Sequence, residues 1–177
     1  MGKLAKCCLL ALAMMTMAAC KDKKQDDIII VRKPTVAEKQ KTRKTGDMNV
    51  EKTVNWAGAQ YDISLRLRAD ASLPTATDGV TDYYDNCVTL SISRPDGTPF
   101  LSRKFTKNDF RQYVDNAYYK DGALLGFVFD KVEGGNLKFA VTVGNPDRAS
   151  DEFAPLALSV SPSGAVSIKK VENLDEE

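Results

Sequence analysis

Histidine is missing from all 177 residues. Its absence excludes Ser-His-Asp and Cys-His nucleophile pairs, and with them the His-rich zinc sites of most hydrolytic metalloenzymes. Carboxylate pairs, Ser-Lys dyads and oxygen-ligated calcium are the chemistry left open. Cysteine is scarce as well: of the four present, Cys7 and Cys8 lie in an N-terminal apolar run and Cys20 at its end, so Cys87 stands alone in the rest. A disulfide within the folded part is thereby excluded, and about 125 residues must rest on their core, which suffices at that size. Long hydrophobic runs are also lacking. The longest, "CCLLALAMMTMAA", has about a dozen apolar or small residues, against the roughly 20 that a spanning helix needs.

That run follows Lys3 and Lys6 and has no acid before Cys20. A basic start and a short apolar stretch are the pattern of an export signal, so residues 1–19 are expected to be removed. Ala18 and Ala19 directly before Cys20 resemble the lipobox of bacterial lipoproteins, with Met17 where leucine is usual. The resemblance implies that Cys20 is lipidated, becomes the first mature residue and tethers the chain to a membrane, each buried CH₂ contributing about 0.8 kcal/mol. An ordinary signal peptide with an incidental cysteine is the alternative.

Without residues 1–19 the chain has 158 residues, 23 basic and 24 acidic. Residues 21–52 carry ten Lys/Arg and six Asp/Glu, whereas residues 53–177 carry thirteen and eighteen. A nucleic-acid partner calls for a basic folded part, the reverse of this arrangement.

Residues 20–52 lack an apolar period apart from Ile28 to Val31, and read as the lipidated cysteine followed by a charged tether with a reach of roughly 30 Å. Ile28 to Val31 either adds an edge strand or is a sticky patch in the leader. Residues 53–177 read as a single β-rich globular domain. Tyr61, Ile63, Leu65 and Leu67 alternate with polar residues, as do Val88, Leu90 and Ile92 with Cys87, Thr89 and Ser91. Tyr84 continues the face of Val88. Hairpins are expected at "RPDGTP", at Glu133 to Asn136 and at Ser161 to Gly164. One amphipathic helix over about 107–119 is predicted by the Thr106/Asp109 capping box, a Phe105/Phe110 staple and the stripe Phe110, Tyr113, Val114, Ala117, with Gly122 ending it. The expected fold is mainly β (α+β): an antiparallel meander of about seven strands, forming a sandwich or partly open barrel, with that helix covering a face or an end.

In order along the chain, "WAGAQYDISLRLRADASLP", "YYDNCVTLSISRPDG", "FTKNDF" and "PLALSVSPSGAVSI" resemble a family of Bacteroidetes lipoproteins classed only as a domain of unknown function (4738 type). The resemblance covers roughly residues 50–172. It implies a Gram-negative envelope lipoprotein anchored to the outer membrane, on its periplasmic face or at the cell surface, and brings no activity with it. Acids just after the lipidated cysteine mark surface export in that phylum; Asp22, Asp26 and Asp27 are interleaved here with lysines.

Candidate binding residues are Tyr83, Tyr84, Asp85 and Asn86, the pair Tyr118 and Tyr119, and Trp56. Aromatic faces beside amides and carboxylates are what sugars and peptides dock against, although ordinary packing explains both tyrosine pairs. Trp56 is placed to plug a sheet end or to anchor a partner. Two acidic groups, Asp78/Asp82/Asp85/Asn86 and Asp147/Asp151/Glu152, lack the spacing of a calcium loop. Cys87 has no histidine to activate it and reads as a small packed hydrophobe. Ser167 and the lysines after it lie on a strand, where nothing makes a Ser-Lys dyad. No catalytic residue, metal or cofactor is expected.

The reading is a non-enzymatic, lipid-anchored binding or accessory module, partnered by the membrane through Cys20 and by an envelope protein, peptide or glycan. A small-molecule carrier with a cavity in a curled sheet and an enzyme using paired carboxylates are the alternatives.

Overall fold

Alternation of apolar and polar residues runs further toward the N-terminus than Val54, because Met48, Val50, Val54 and Trp56 share one parity and Asn49, Glu51, Thr53 and Asn55 the other. In the computed structural model, which describes residues 41–171, this stretch forms a strand. The residues of the signal reading, Cys20 and Ile28 to Val31 lie outside the described part.

Strands β1 (Arg43–Lys44), β2 (Met48–Trp56), β3 (Ala59–Ala69), β4 (Ala76–Thr77), β5 (Asp82–Tyr84), β6 (Asn86–Ser93) and β7 (Pro99–Thr106) precede a helical crossover. Strands β8 (Ala123–Glu133), β9 (Asn136–Gly144), β10 (Phe153–Val160) and β11 (Val166–Lys170) follow it. Two antiparallel four-stranded sheets result, ordered β2-β3-β6-β7 and β11-β10-β9-β8, with a small third sheet β1-β5-β4 in which β4 and β5, from between β3 and β6, join β1 from before β2. The fold is mainly β and sandwich-like, each large sheet a meander. The seven expected strands are β3 and β6 to β11. Strand β2 and the two-to-three-residue strands of the small sheet are additional, so the domain begins inside the stretch read as tether.

Two hairpin turns show why the chain reverses where it does. Ala57 and Gly58 have φ of 52° and 81°, and Gly134 and Gly135 have 57° and 74°. Positive φ at both central residues is the two-residue turn whose twist matches that of paired strands.

The inner faces share one core. Leu65, Leu90 and Ile92 of the first sheet and Leu124, Leu137 and Leu158 of the second are fully buried. Phe127 bridges the halves, its ring centroid 5.3 Å from Phe105 and 5.6 Å from Phe139. Side chains fill the space between the sheets.

All four outer strands carry features that block pairing with another chain. Lys52 of β2 turns inward, with Nζ 4.8 Å from the Phe129 ring centroid. Strand β7 starts at Pro99, β8 has two register shifts, and β11 has five residues ending in Lys169 and Lys170.

The crossover corrects the expectation of one helix. A 3-10 helix spans Lys107–Tyr113 and a separate α1 spans Asn116–Asp121. Between them Val114 is extended, with φ −122° and ψ 154°, so the expected stripe is cut before Ala117. The entry behaves as expected: the Thr106 N–H donates to Asp109 Oδ2 at 2.9 Å, and Phe105 and Phe110 stack at 6.2 Å between centroids.

Candidate functional site

Strand register collects four hairpin turns at one end of the domain. Trp56 pairs with Ala59 beside the β2–β3 turn, Asp62 of the same strand lies opposite Ser93 beside the β6–β7 turn, and Leu137 after the β8–β9 turn pairs with Val160 before the β10–β11 turn. Trp56 ties the two sheets there. Its Nε1–H donates to the Gly135 carbonyl at 2.8 Å, and its ring meets Tyr61 and Phe100 edge-on at 4.9 and 5.2 Å. Such edge-to-face pairs contribute about 0.5–1.5 kcal/mol each beyond area burial.

Above this cluster lies an open hollow of about 580 Å³, whose walls include Asn55, Ala57, Gln60, Val132 and Pro162. Trp56 is 2 % exposed, so it supports the floor while the amides of Asn55 and Gln60 and the apolar Val132 and Pro162 meet solvent. Ala57, at φ 52°, is the non-glycine residue among those described with a left-handed backbone, and it stands in this wall. Such strain persists where surrounding structure enforces it and clusters at binding sites.

The opposite end holds Asp85 and Asn86, both inside the protein. Asp85 Oδ1 accepts the backbone N–H groups of Asn86 and Leu124 at 2.8 and 2.9 Å, and Oδ2 lies 3.5 Å from Lys107 Nζ. The two charged side chains are 3 % and 8 % exposed. Lys107 Nζ also donates to the Gly122 carbonyl. Asn86 Nδ2 donates to Thr45 Oγ1 and to the Leu124 carbonyl, both at 2.7 Å. One polar knot therefore joins β6, β8, the crossover and the segment after β1. Its hydrogen bonds offset the desolvation that an ion pair suffers on burial.

The tyrosines use their rings within the fold. Strand pairing breaks at Asp85, so Tyr83 enters a small cluster with Ala76 and Ala123, and Tyr84 is left half-buried instead of continuing the Val88 face. Tyr119 lies under the Arg111 guanidinium at 4.7 Å and donates its hydroxyl to Asn108 at 3.0 Å. Tyr118 packs on the main core. Asp85, Asn86 and Tyr119 thus gather around Lys107, whereas Trp56 is at the far end. Lys107 carried no sequence signal, since no apolar or capping pattern marks one lysine of "FTKNDF" as buried.

Asp78 closes the loop before β5. Its carboxyl is held below the usual carboxylate range by the N–H groups of Thr81 and Val80 and then by the Tyr83 hydroxyl, which donates to Oδ2 at 2.9 Å. The same bond, with burial, raises the Tyr83 phenol. A lowered carboxyl stabilises the fold above its unfolded value of 3.8 and loses that as pH falls through the folded value. A raised phenol stabilises it below 10.0 and loses that as pH rises through the folded value. Tyr83→Phe should therefore remove part of the alkaline decline in urea midpoint while leaving the acid limb, where Thr81 and Val80 still hold Asp78. Superimposable alkaline limbs would refute the assignment.

Acids elsewhere are similarly committed. Asp70 and Asp96 are held low by Ser72 and Thr98 respectively, and Asp147 accepts from Ala149 N–H. Among the described residues no three His, Cys, Asp or Glu side chains group as for a metal. Burial pushes the half-buried Cys87 thiol up, away from nucleophilic reactivity.

A mainly β domain of two meanders with a walled end is the class these features define. The profile of a family described as Domain of unknown function (DUF4738) matches residues 28–168, and the chain belongs to that family. The match takes in Ile28 to Val31 and most of the stretch read as tether. No curated protein matches the chain.

Proposed function

We propose that this protein is an envelope lipoprotein, anchored through Cys20, whose folded part is a non-enzymatic interaction module working through its hairpin-tip end. The hollow beside Ala57 carries the reading: its rim is built from turns of both sheets, which a rigid core holds in place, and it joins amides to apolar surface as peptide and glycan sites do. The carrier alternative needed an apolar cavity between the sheets, where Phe105, Phe127 and Phe139 now pack. The enzyme alternative needed two free acids in a cleft, whereas Asp70, Asp78 and Asp96 are bonded to their own loops and Asp85 is buried against Lys107. No helix among the described residues is long and apolar enough to cross a membrane. A lipid on Cys20 supplies the attachment in this reading, to the outer membrane of a Gram-negative cell.

A photoreactive residue at exposed Val132, in the wall of the hollow, should cross-link a discrete envelope partner in cells, and one at exposed Asp121 should not. Equal cross-linking from both positions, or none, would overturn the interaction site. For the anchor, Cys20→Ala should abolish palmitate labelling and release the protein from the membrane fraction. Continued labelling of that variant would count against it.

A further inference from the structure

On the outer face of the first sheet, near Ala69 to Ala71, a hollow of about 310 Å³ is lined by Arg66, Arg68, Cys87, Thr89 and Lys104, with Asp70 at its rim. Register explains the convergence. Arg66 lies opposite Thr89 and Thr89 opposite Lys104, so one row across three strands has a cation at each side of a hydroxyl. Arg68, two residues along the same strand as Arg66 and on the same face, lies opposite Cys87 in the next row. Strands are about 4.8 Å apart and alternate residues about 7 Å, so three long cationic side chains surround Thr89 on a grid they can close over.

The side chains of Arg66 and Lys104 make no hydrogen bond or ion pair with any described residue. Other cations on this sheet are occupied: Lys52 sits over Phe129, and Arg103 pairs with Asp109 at 3.3 Å. Arg68 is fixed by Nη1, which donates to the Met48 and Leu67 carbonyls at 3.0 and 2.9 Å, and by Nε, which lies 4.0 Å from Asp47 Oδ2, so Nη2 is the group it has left for a ligand. Asp70 Oδ1 is taken by the N–H and hydroxyl of Ser72 at 2.9 and 2.6 Å. Like charges on neighbouring sheet positions repel and lower stability, so placing Arg66 and Lys104 beside Arg68 brings no structural return here.

We propose that Arg66, Arg68 and Lys104 bind a phosphate group over Thr89. Three cations exceed what a single carboxylate needs, and guanidinium forks suit the oxygens of a phosphate. The site is independent of the hairpin-tip hollow. Phosphates borne by a free ligand and by a lipid headgroup share this chemistry.

Cys87 lines the same hollow and reports on its occupancy. In the full-length protein, iodoacetamide labelling of Cys87, read by mass spectrometry of its own peptide, should slow about threefold or more in inorganic phosphate relative to chloride of equal ionic strength. That corresponds to filling about two thirds of the sites. Slowing by phosphatidylcholine vesicles containing phosphatidic acid, but not by free phosphate, assigns the group to a headgroup. Arg66→Gln with Lys104→Gln should abolish protection, and Lys120→Gln should preserve it. No protection by either phosphate source beyond chloride or phosphatidylcholine alone overturns the proposal, as does full protection in the double variant. The wild-type comparison decides even where the double variant fails to fold.

Discussion

Lys107→Met is expected to destabilise the domain by about 3–5 kcal/mol, because it leaves the buried Asp85 carboxylate without its cation. Over a domain of this size that is a fall in melting temperature of about 10–20 °C. The size of the effect follows from burial, since the partners are 3 % and 8 % exposed and the ammonium also holds the Gly122 carbonyl at the end of the crossover. Lys131 and Glu133 supply the contrast. Their oxygen and nitrogen are closer, at 2.8 Å, yet both side chains are more than half exposed and screened by water, so Lys131→Met should leave the melting temperature almost unchanged. Combining Lys107→Met with Asp85→Asn should recover part of the loss, because the amide no longer strands a charge and keeps an oxygen for the Leu124 N–H. Calorimetry or urea unfolding measures all three. Equal losses for Lys107→Met and Lys131→Met would contradict the buried role.

How much of this was legible in the sequence depended on whether a residue's neighbours are local. Strands β3 and β6 to β11 were readable because each alternates apolar and polar residues, and their turns because glycine and proline punctuate them. Strand β2 was hidden by Lys52, an inward position whose charge is accommodated by the face of Phe129 on the other sheet. The crossover misled for a different reason: its apolar stripe is real, but the chain turns extended at Val114 so that Phe110 enters the core while α1 starts anew at Asn116. Trp56 beside a turn was readable either as a plug for a sheet end or as an anchor for a partner, and choosing between them required its burial, at 2 % exposed, and its bond to the other sheet. The Asp85 knot could not be read, since Thr45, Asn86, Lys107, Gly122 and Leu124 meet only through tertiary folding. The phosphate-site grid is intermediate: Arg66 and Arg68 share a face by parity alone, whereas adding Lys104 required the pairing of β6 with β7.

Trp56→Ala is the second substitution expected to have a large effect, about 3–5 kcal/mol, as for other buried aromatic deletions. The loss has two separable parts. Trp56→Phe retains a ring against Tyr61 and Phe100 but removes the N–H donated to the Gly135 carbonyl, so it should cost about 1–2 kcal/mol. The remainder belongs to the lost ring and the cavity beneath the hairpin tips. Trp56 is the sole tryptophan, so circular dichroism rather than fluorescence must follow the unfolding of both variants. The pair also separates stability from recognition. Because the indole tethers the β8–β9 turn to the end of β2, Trp56→Phe at a temperature where it is fully folded should loosen that turn and weaken cross-linking from Val132. Unchanged cross-linking at that temperature would mean that the hollow is held open by the strands alone, with the indole contributing only to the core.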